Sequence, residues 1–385
     1  MTGKNQTYAD KTLLFLTGAL LLFGVIMVYD ATGVFAQGVF GEAYRLVVLH
    51  VGWILVGLVG FFFFYNFDYK KSAKIAYPLF ALSIVFLLIL AIVGVLPCAN
   101  NISFVPCLNG ANRWFYLNPS PLPSIPFLGV LGFQPSELAK LSMILYLAVT
   151  IAKSLQDRWT PFILFLVISA GTSLLVLLQP NMSTATLLFL IGAAMYISSG
   201  STLLPVFAAI PTMVLAALGF ILSSDYRKER FITFLNPGAS GDLSIGYHIK
   251  QIQIALGSGG IFGVGFGQSR QKFQYLPEVA SDSLFAIVGE ELGFIGTALL
   301  VIVFVALICK GYSIAKHAPD PLGRLLACGV TTWLALQFFI NIAAMTQLIP
   351  LTGVPIPLVS YGGSSMVFSL MGLGILANVS RSIKR

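Results

Sequence analysis

Four carboxylates fall within one short stretch, Leu276 to Phe294, in a chain that holds only 14 acidic residues in 385. Glu278, Asp282, Glu290 and Glu291 stand at the mouth and in the upper turns of an otherwise apolar segment. A carboxylate in such a segment is costly to bury, so it faces a cavity, a partner or a substrate. Asp282 sits at the entrance, next to a loop rich in Lys and Arg, and that placement favours chemistry over a purely structural ion pair. Glu290 and Glu291 carry two readings of equal standing: pairing with a nearby Lys or Arg to hold helices together, or lining a polar cavity.

The elements that position these groups are membrane spans. Hydrophobic residues make up 57% of the chain and charged residues 9%, far from the composition of a soluble domain. Apolar runs long enough to cross a bilayer recur along the sequence. The expected fold is therefore an all-α polytopic membrane protein, one integral bundle over 1–385. No signal peptide is expected, because the first apolar run lacks a small-residue cleavage pattern. The net charge of +8 does not indicate nucleic acid, since much of it lies in short loops between spans, where topology signals belong.

Ten spans are predicted: about Thr12–Asp30, Leu46–Tyr65, Ile75–Leu96, Gln134–Lys153, Pro161–Leu178, Asn181–Ser199, Leu203–Leu222, Asp282–Cys309, Leu322–Met345 and Gly363–Ser380. Two long loops interrupt them, at 97–133 and 223–281. With both termini cytoplasmic, the inner segments hold 13 basic residues against Asp10, Asp68, Asp157 and Asp320, as the positive-inside rule requires. Both long loops and the mouth of the eighth span then face outward. In the second loop Ile245, Ile249, Ile252 and Leu256 recur at helical spacing, which predicts an amphipathic helix lying at the membrane surface, with packing onto the bundle compatible with the same spacing. The glycine-rich run Gly257–Gly267 follows it. No strand precedes that run, so it reads as a bend for close backbone approach and not as a dinucleotide fingerprint. Cys98 and Cys107 bracket a short polar segment. A disulfide between them and a pair of free thiols are equally open.

Seven strings then carry a resemblance over nearly the whole chain. They are GANRWF at Gly110–Phe115, FQPSELAKL at Phe133–Leu141, QPN at Gln179–Asn181 and ERFITFLNP at Glu229–Pro237. After them come GYHIKQIQIALGSGGIFGVGFGQSRQKFQYLPE at Gly246–Glu278, SDSLFAIVGEELGFIG at Ser281–Gly296, and PLVSYGGSSM at Pro357–Met366. In this order they resemble the shape, elongation, division and sporulation (SEDS) family, the FtsW/RodA-like membrane proteins, with wording closer to the division branch. The resemblance implies a peptidoglycan glycosyltransferase. It would polymerise lipid II, an undecaprenyl-diphosphate-linked disaccharide peptide, at the outer face of the bacterial cytoplasmic membrane. Its implied partners are a class B penicillin-binding protein, other division or elongation proteins, and membrane lipid. Asp282 matches the family's essential aspartate. Ser281 replaces the usual threonine before it, and the family's preceding histidine is missing. Asn181 stands where many relatives have an aspartate.

An α-linked diphosphate and a β-1,4-linked product imply one inverting displacement, which needs a base and a cation for the leaving group. Asp282 is the candidate base, with Ser281 as the expected helix cap and the helix N-terminus favouring the ionised carboxylate. Arg270 and Lys272 are the first candidates for the diphosphate, and Arg230 and Lys250 the second. Glu278, Arg113, Trp114 and the Ser360–Gly362–Gly363 bend join the candidate substrate contacts. Glu137 and Lys140 read as supporting charge, either pairing with each other or with Lys140 reaching Glu290 or Glu291. A divalent cation, Mg or Mn, would be able to share the work on the diphosphate, but no cluster has metal-ligand spacing and no metal site is assigned. The alternative functions are a lipid II flippase and a non-catalytic scaffold for the penicillin-binding protein. The flippase is disfavoured because polar residues concentrate in the outer half and the sixth and seventh spans hold no charge.

Overall fold

The computed structural model describes residues 9–94, 102–108, 111–119, 125, 128–202, 219, 228, 234, 243–273 and 275–383. Among the described residues there are ten α-helices: α1 (Lys11–Phe40), α2 (Arg45–Asn66), α3 (Ala73–Val93), α4 (Pro135–Lys153), α5 (Thr160–Leu177), α6 (Met182–Ser198), α7 (Leu243–Gly259), α8 (Leu284–His317), α9 (Pro321–Met345) and α10 (Gly363–Arg381). Eight of them are long and apolar enough to cross a membrane, and α6 is a shorter apolar helix. The protein is a multi-pass membrane protein, as expected. A lipid-facing backbone must satisfy its own polar groups, and these runs do so as helices. The predicted seventh span, 203–222, lies outside the described residues except for Gly219.

Helices α4, α9 and α10 are buried nearly all round, while α1, α2, α3, α5 and α8 keep most of their surface outward. The first three form the centre of the bundle. Helix α2 lies along α10, where Gly57 admits Leu370 so closely that an added Cβ would stand 2.6 Å from its Cδ1. Small residues allow such approach where no hydrophobic force drives helices together.

Two ion pairs tie α1 to α8 and its loop. At the base of the bundle Asp10 caps α1, accepting the Thr12 and Leu13 amides, and meets Lys310 Nζ at 2.8 Å. At the other end Asp30 Oδ1 lies 2.7 Å from Lys272 Nζ. About 30 Å of helical rise separates Asp10 from Asp30, which matches the hydrocarbon core of a bilayer. Helices α1 and α8 continue past the level of the Asp30–Lys272 pair toward the end that carries the long loops, here called the rim. Both run further than the sequence suggests, α1 to Phe40 and α8 to His317.

Of the two settings open for the amphipathic helix, α7 takes the packed one: its Ile249, Ile252 and Ala255 are buried in the bundle, and it lies along the upper part of α8. The glycine-rich run then repairs a break in α8. Gly293 takes φ 64 and ψ −163, interrupting the helix. The freed carbonyls of Glu290 and Glu291 accept the amides of Val264 and Gly265 at 2.9 and 3.1 Å. The amides of Phe294 and Ile295 donate to the carbonyls of Gly260 and Ile261 at 2.9 and 3.1 Å. Non-helical backbone near a membrane survives where protein satisfies it, and here the loop does so.

The first long loop forms two small hairpins, Cys107–Leu108 with Ala111–Asn112 and Phe115–Tyr116 with Gly132–Phe133. Cys107 is disulfide-bonded, whereas Cys309 and Cys328 are free thiols; Cys98 lies outside the described residues. Ser364 fastens this loop to α10, accepting the Gln134 amide and donating to the Gly132 carbonyl, both at 3.1 Å.

Candidate active site at the rim

Asp282 occupies a tight turn just before α8 and is half-buried. The turn starts at Glu278, whose φ of 52 is the left-handed conformation a non-glycine residue seldom adopts. The Glu278 carbonyl accepts the amides of Ser281 and Ser283, each at 3.1 Å. Three further contacts fix the turn from separate elements. Tyr361 N donates to the Ala280 carbonyl at 2.8 Å. Asn341 Nδ2, on α9, donates to the Asp282 and Val354 carbonyls, both at 2.8 Å. His248 Nε2, on α7, lies 2.9 Å from Ser283 Oγ. Gly353 closes one side: an added Cβ there would stand 3.2 Å from Asp282 Oδ2.

The expected cap is misplaced by two residues. Ser283, not Ser281, is the N-cap of α8, and its hydroxyl meets His248 and no helix amide. The Ser281 hydroxyl turns back to Glu278 Oε2 at 2.9 Å. The start of α8 nevertheless lies beside Asp282, and its exposed amide dipoles favour a negative charge there.

The basic candidates separate. Lys272 is buried, with its ammonium between Asp30 Oδ1 at 2.7 Å and Glu291 Oε1 at 2.9 Å. Burial opposes its charge, but the hydrogen bonds and charges of Asp30 and Glu291 outweigh that and hold its pKa above the usual lysine value. Its charge is already matched within the protein. Arg270 is exposed, and its own amide is fixed by Glu290 Oε1 at 3.0 Å. Lys250 is exposed on α7, two residues beyond His248. Arg230 lies outside the described residues.

Glu290 and Glu291 bind the returning loop. Glu291 accepts the amides of Gly267 and Ser269, both at 3.0 Å. Glu290 accepts the Arg270 amide and the Ser269 hydroxyl. Glu291 thus takes the pairing reading through Lys272, whereas the partners of Glu290 are loop amides and the Ser269 hydroxyl. Lys140 takes the nearer of its options, with Glu137 Oε1 at 2.7 Å. It also donates to Gln337 Oε1 at 2.9 Å and lies over the Trp333 ring.

Arg113 donates to the carbonyls of Gln179 and Pro180, at 3.1 and 2.6 Å. Those carbonyls follow the end of α5, where a cation is favoured. Trp114 packs beside Gly132 in the same loop. Ser360 Oγ accepts the Ile356 amide at 3.1 Å. Gly362 is the N-cap of α10, with no side chain satisfying the first amides, and Gly363 lies against the Trp53 ring. The backbone bond from Tyr361 to Ala280 places this bend beside the Asp282 turn. Burial raises the Tyr361 pKa above that of a free phenol. Among the described residues no group of three or more His, Cys, Asp or Glu is arranged for a metal.

Asp30, His248, Asn341 and Gly353 do not stand out in the sequence. The signals were present: an acid closing an apolar run, a histidine beside the helical stripe, and an asparagine within a span. Nothing local indicates their partners.

Comparison with known proteins places this geometry in a lineage. The family model described as "Cell cycle protein", covering FtsW, RodA and SpoVE, matches residues 11–385. Stage V sporulation protein E of Bacillus subtilis (strain 168) is 35% identical over 385 residues, 99% of each chain. A probable peptidoglycan glycosyltransferase FtsW of Trichlorobacter lovleyi is 34% identical, over 97% of this chain and 94% of the relative. A chain of a solved peptidoglycan synthase complex, described as coordinating polymerization and crosslinking, superposes with a TM-score of 0.74 at 25% identity. That superposition covers 97% of this chain and 98% of the other. The rod shape determining protein RodA of Thermus thermophilus shares the fold, with a TM-score of 0.67 at 24% identity over 98% of both chains.

Proposed function

Because this chain belongs to the FtsW/RodA/SpoVE family, we propose that it is a peptidoglycan glycosyltransferase that polymerises lipid II at the outer face of the cytoplasmic membrane. The observation that carries the reading is Asp282, a half-buried carboxylate in a turn held by α7, α9 and the bend before α10. Such immobilisation is what a base needs if it is to meet a hydroxyl in one geometry. The names of the FtsW relatives and of the solved synthase complex support the same activity.

Asp282 accepts the proton of the acceptor sugar's 4-hydroxyl as that oxygen attacks the anomeric carbon of the donor. The bond to the diphosphate breaks on the opposite face, which turns an α-linked donor into a β-1,4-linked product. Arg270 and Lys250, the exposed cations nearest the site in sequence, take up charge on the departing diphosphate. The open amides at the start of α10, after Gly362, offer a second anion contact. Lys272 assists from behind, by holding the loop that presents Arg270. The positive-inside orientation puts this rim outside the cell, where the lipid-linked donor is presented. A class B penicillin-binding protein is the proposed partner, in line with the synthase complex.

The test is polymer formation from purified lipid II by the reconstituted protein, with and without its penicillin-binding partner and with and without chelator. The parent makes glycan strands, and Asp282→Asn makes none while keeping the parent's melting temperature. A fully active Asp282→Asn protein removes the base assignment. Transport of lipid II across liposomes with no polymer formed would replace the proposal with a flippase.

A further inference from the structure

The loop that repairs α8 also presents an apolar surface that the proposed chemistry does not use. Ile261 and Phe262, at its tip, are 62% and 80% exposed. Their neighbours across the backbone pairing, Phe294 and Ile295, are 69% and 50% exposed. On α8 the change is abrupt. Every residue from Leu284 to Glu291 is buried, whereas from Phe294 downward Leu299 and Ile302 continue an exposed apolar face. Phe294 is thus where the outward surface of α8 becomes that of a lipid-facing span.

The base ion pair gives the depth. Ile295 lies about 22 Å of helical rise above Lys310, short of the roughly 30 Å of the hydrocarbon core. Gly260 and Ile261 are bonded at this level, while Gly265 pairs with Glu291 further up the helix. The loop therefore descends to its tip and climbs back. Its returning arm, from Gly267 to Arg270, is held above the tip by the buried carboxylates of Glu290 and Glu291.

We infer that the Gly260–Phe262 tip is a membrane-inserted wedge, seated among the acyl chains of the leaflet on the rim side. The occupant of this face is bilayer lipid. The face continues the lipid-exposed side of a spanning helix, it is uncharged, and it lies within the depth of the hydrocarbon core. The wedge fixes the height of the rim. Because the same loop binds α8 one turn above the break, lipid contact and the Asp282 turn are mechanically joined. The inference goes beyond the glycosyltransferase reading and does not depend on turnover.

Phe262→Trp tests it in bilayers of phospholipid brominated at mid-chain, with the parent's four tryptophans subtracted and Tyr247→Trp as a reference on α7, beside His248. The expected result is that bromolipid quenches the indole added at position 262 and aqueous iodide does not, with the reverse at position 247. Ile261→Trp repeats the measurement should the first variant fold poorly. Quenching by iodide alone at 262 and 261 places the tip in water and overturns the inference. Emission insensitive to both quenchers shows a protein partner seated on the face and also overturns it. An Asp282→Asn background leaves the expected pattern unchanged, so loss of polymerisation and loss of insertion are read separately.

Discussion

Replacing Lys272 separates the sequence's reading of that residue from the structure's. The sequence suggests a diphosphate contact; the structure gives a buried ammonium between two buried carboxylates. Lys272→Met fills similar volume and removes the charge. Asp30 and Glu291 are then left facing each other, with side chains 8% and 0% exposed. Breaking a buried pair by removing one partner costs about 3–5 kcal/mol, a large share of the roughly 5–15 kcal/mol that separates folded from unfolded in ordinary proteins. The expected readout is a clear fall in melting temperature in detergent, together with proteolysis within 260–283. Adding Asp30→Asn in the same chain should recover part of the loss, since it removes one of the two facing charges while Glu291 keeps both oxygens for the Gly267 and Ser269 amides. The pH sign follows from the raised lysine. Its contribution is complete below the ordinary value of 10.5 and is lost only as pH climbs through the higher folded value. Parent and Lys272→Met should therefore differ most at neutral pH and above, and converge on acidification as the two facing carboxylates of the variant take up a proton. A Lys272→Met protein as stable as the parent, but inactive on lipid II, would refute the structural role and return this side chain to the diphosphate.

Two further substitutions probe the turn itself. Gly353→Ala puts a methyl 3.2 Å from Asp282 Oδ2; polymerisation should fall by roughly 10²-fold, as small misplacements of a catalytic group do, with little change in melting temperature. Asn341→Leu leaves the Asp282 and Val354 carbonyls without their donor. It should cost about 2–4 kcal/mol from two unsatisfied buried groups, measured by thermal unfolding, and lower activity alongside.

What was legible in this sequence divides along the range of the interaction. Spans are local: a run of apolar residues must satisfy its own backbone in lipid, so nine of the ten predicted spans recur as helices and the tenth lies outside the described residues. The acid at the rim was also legible, because Asp282 is conspicuous where acids are scarce. The partners of charge were not. Lys272 lies ten residues before Asp282 in the chain yet pairs with Asp30, 242 residues away, and no periodicity carries that information. The Gly257–Gly267 run shows the intermediate case. Its composition announced close backbone approach, but the surface it approaches exists only because α8 breaks at Gly293, and a lone glycine inside an apolar run gives no sign of breaking. Ser281 and Ser283 make the same point over two residues: both suit a helix cap, and the choice was made by His248, which engages one hydroxyl from another helix. The turn bearing the proposed base is therefore specified less by its own residues than by three contacts, from His248, Asn341 and the Tyr361 amide, that reach it from separate elements. For that reason substitution of His248 or Asn341, remote in sequence from Asp282 and away from the reacting atoms, should alter the reaction as well as the stability of the turn.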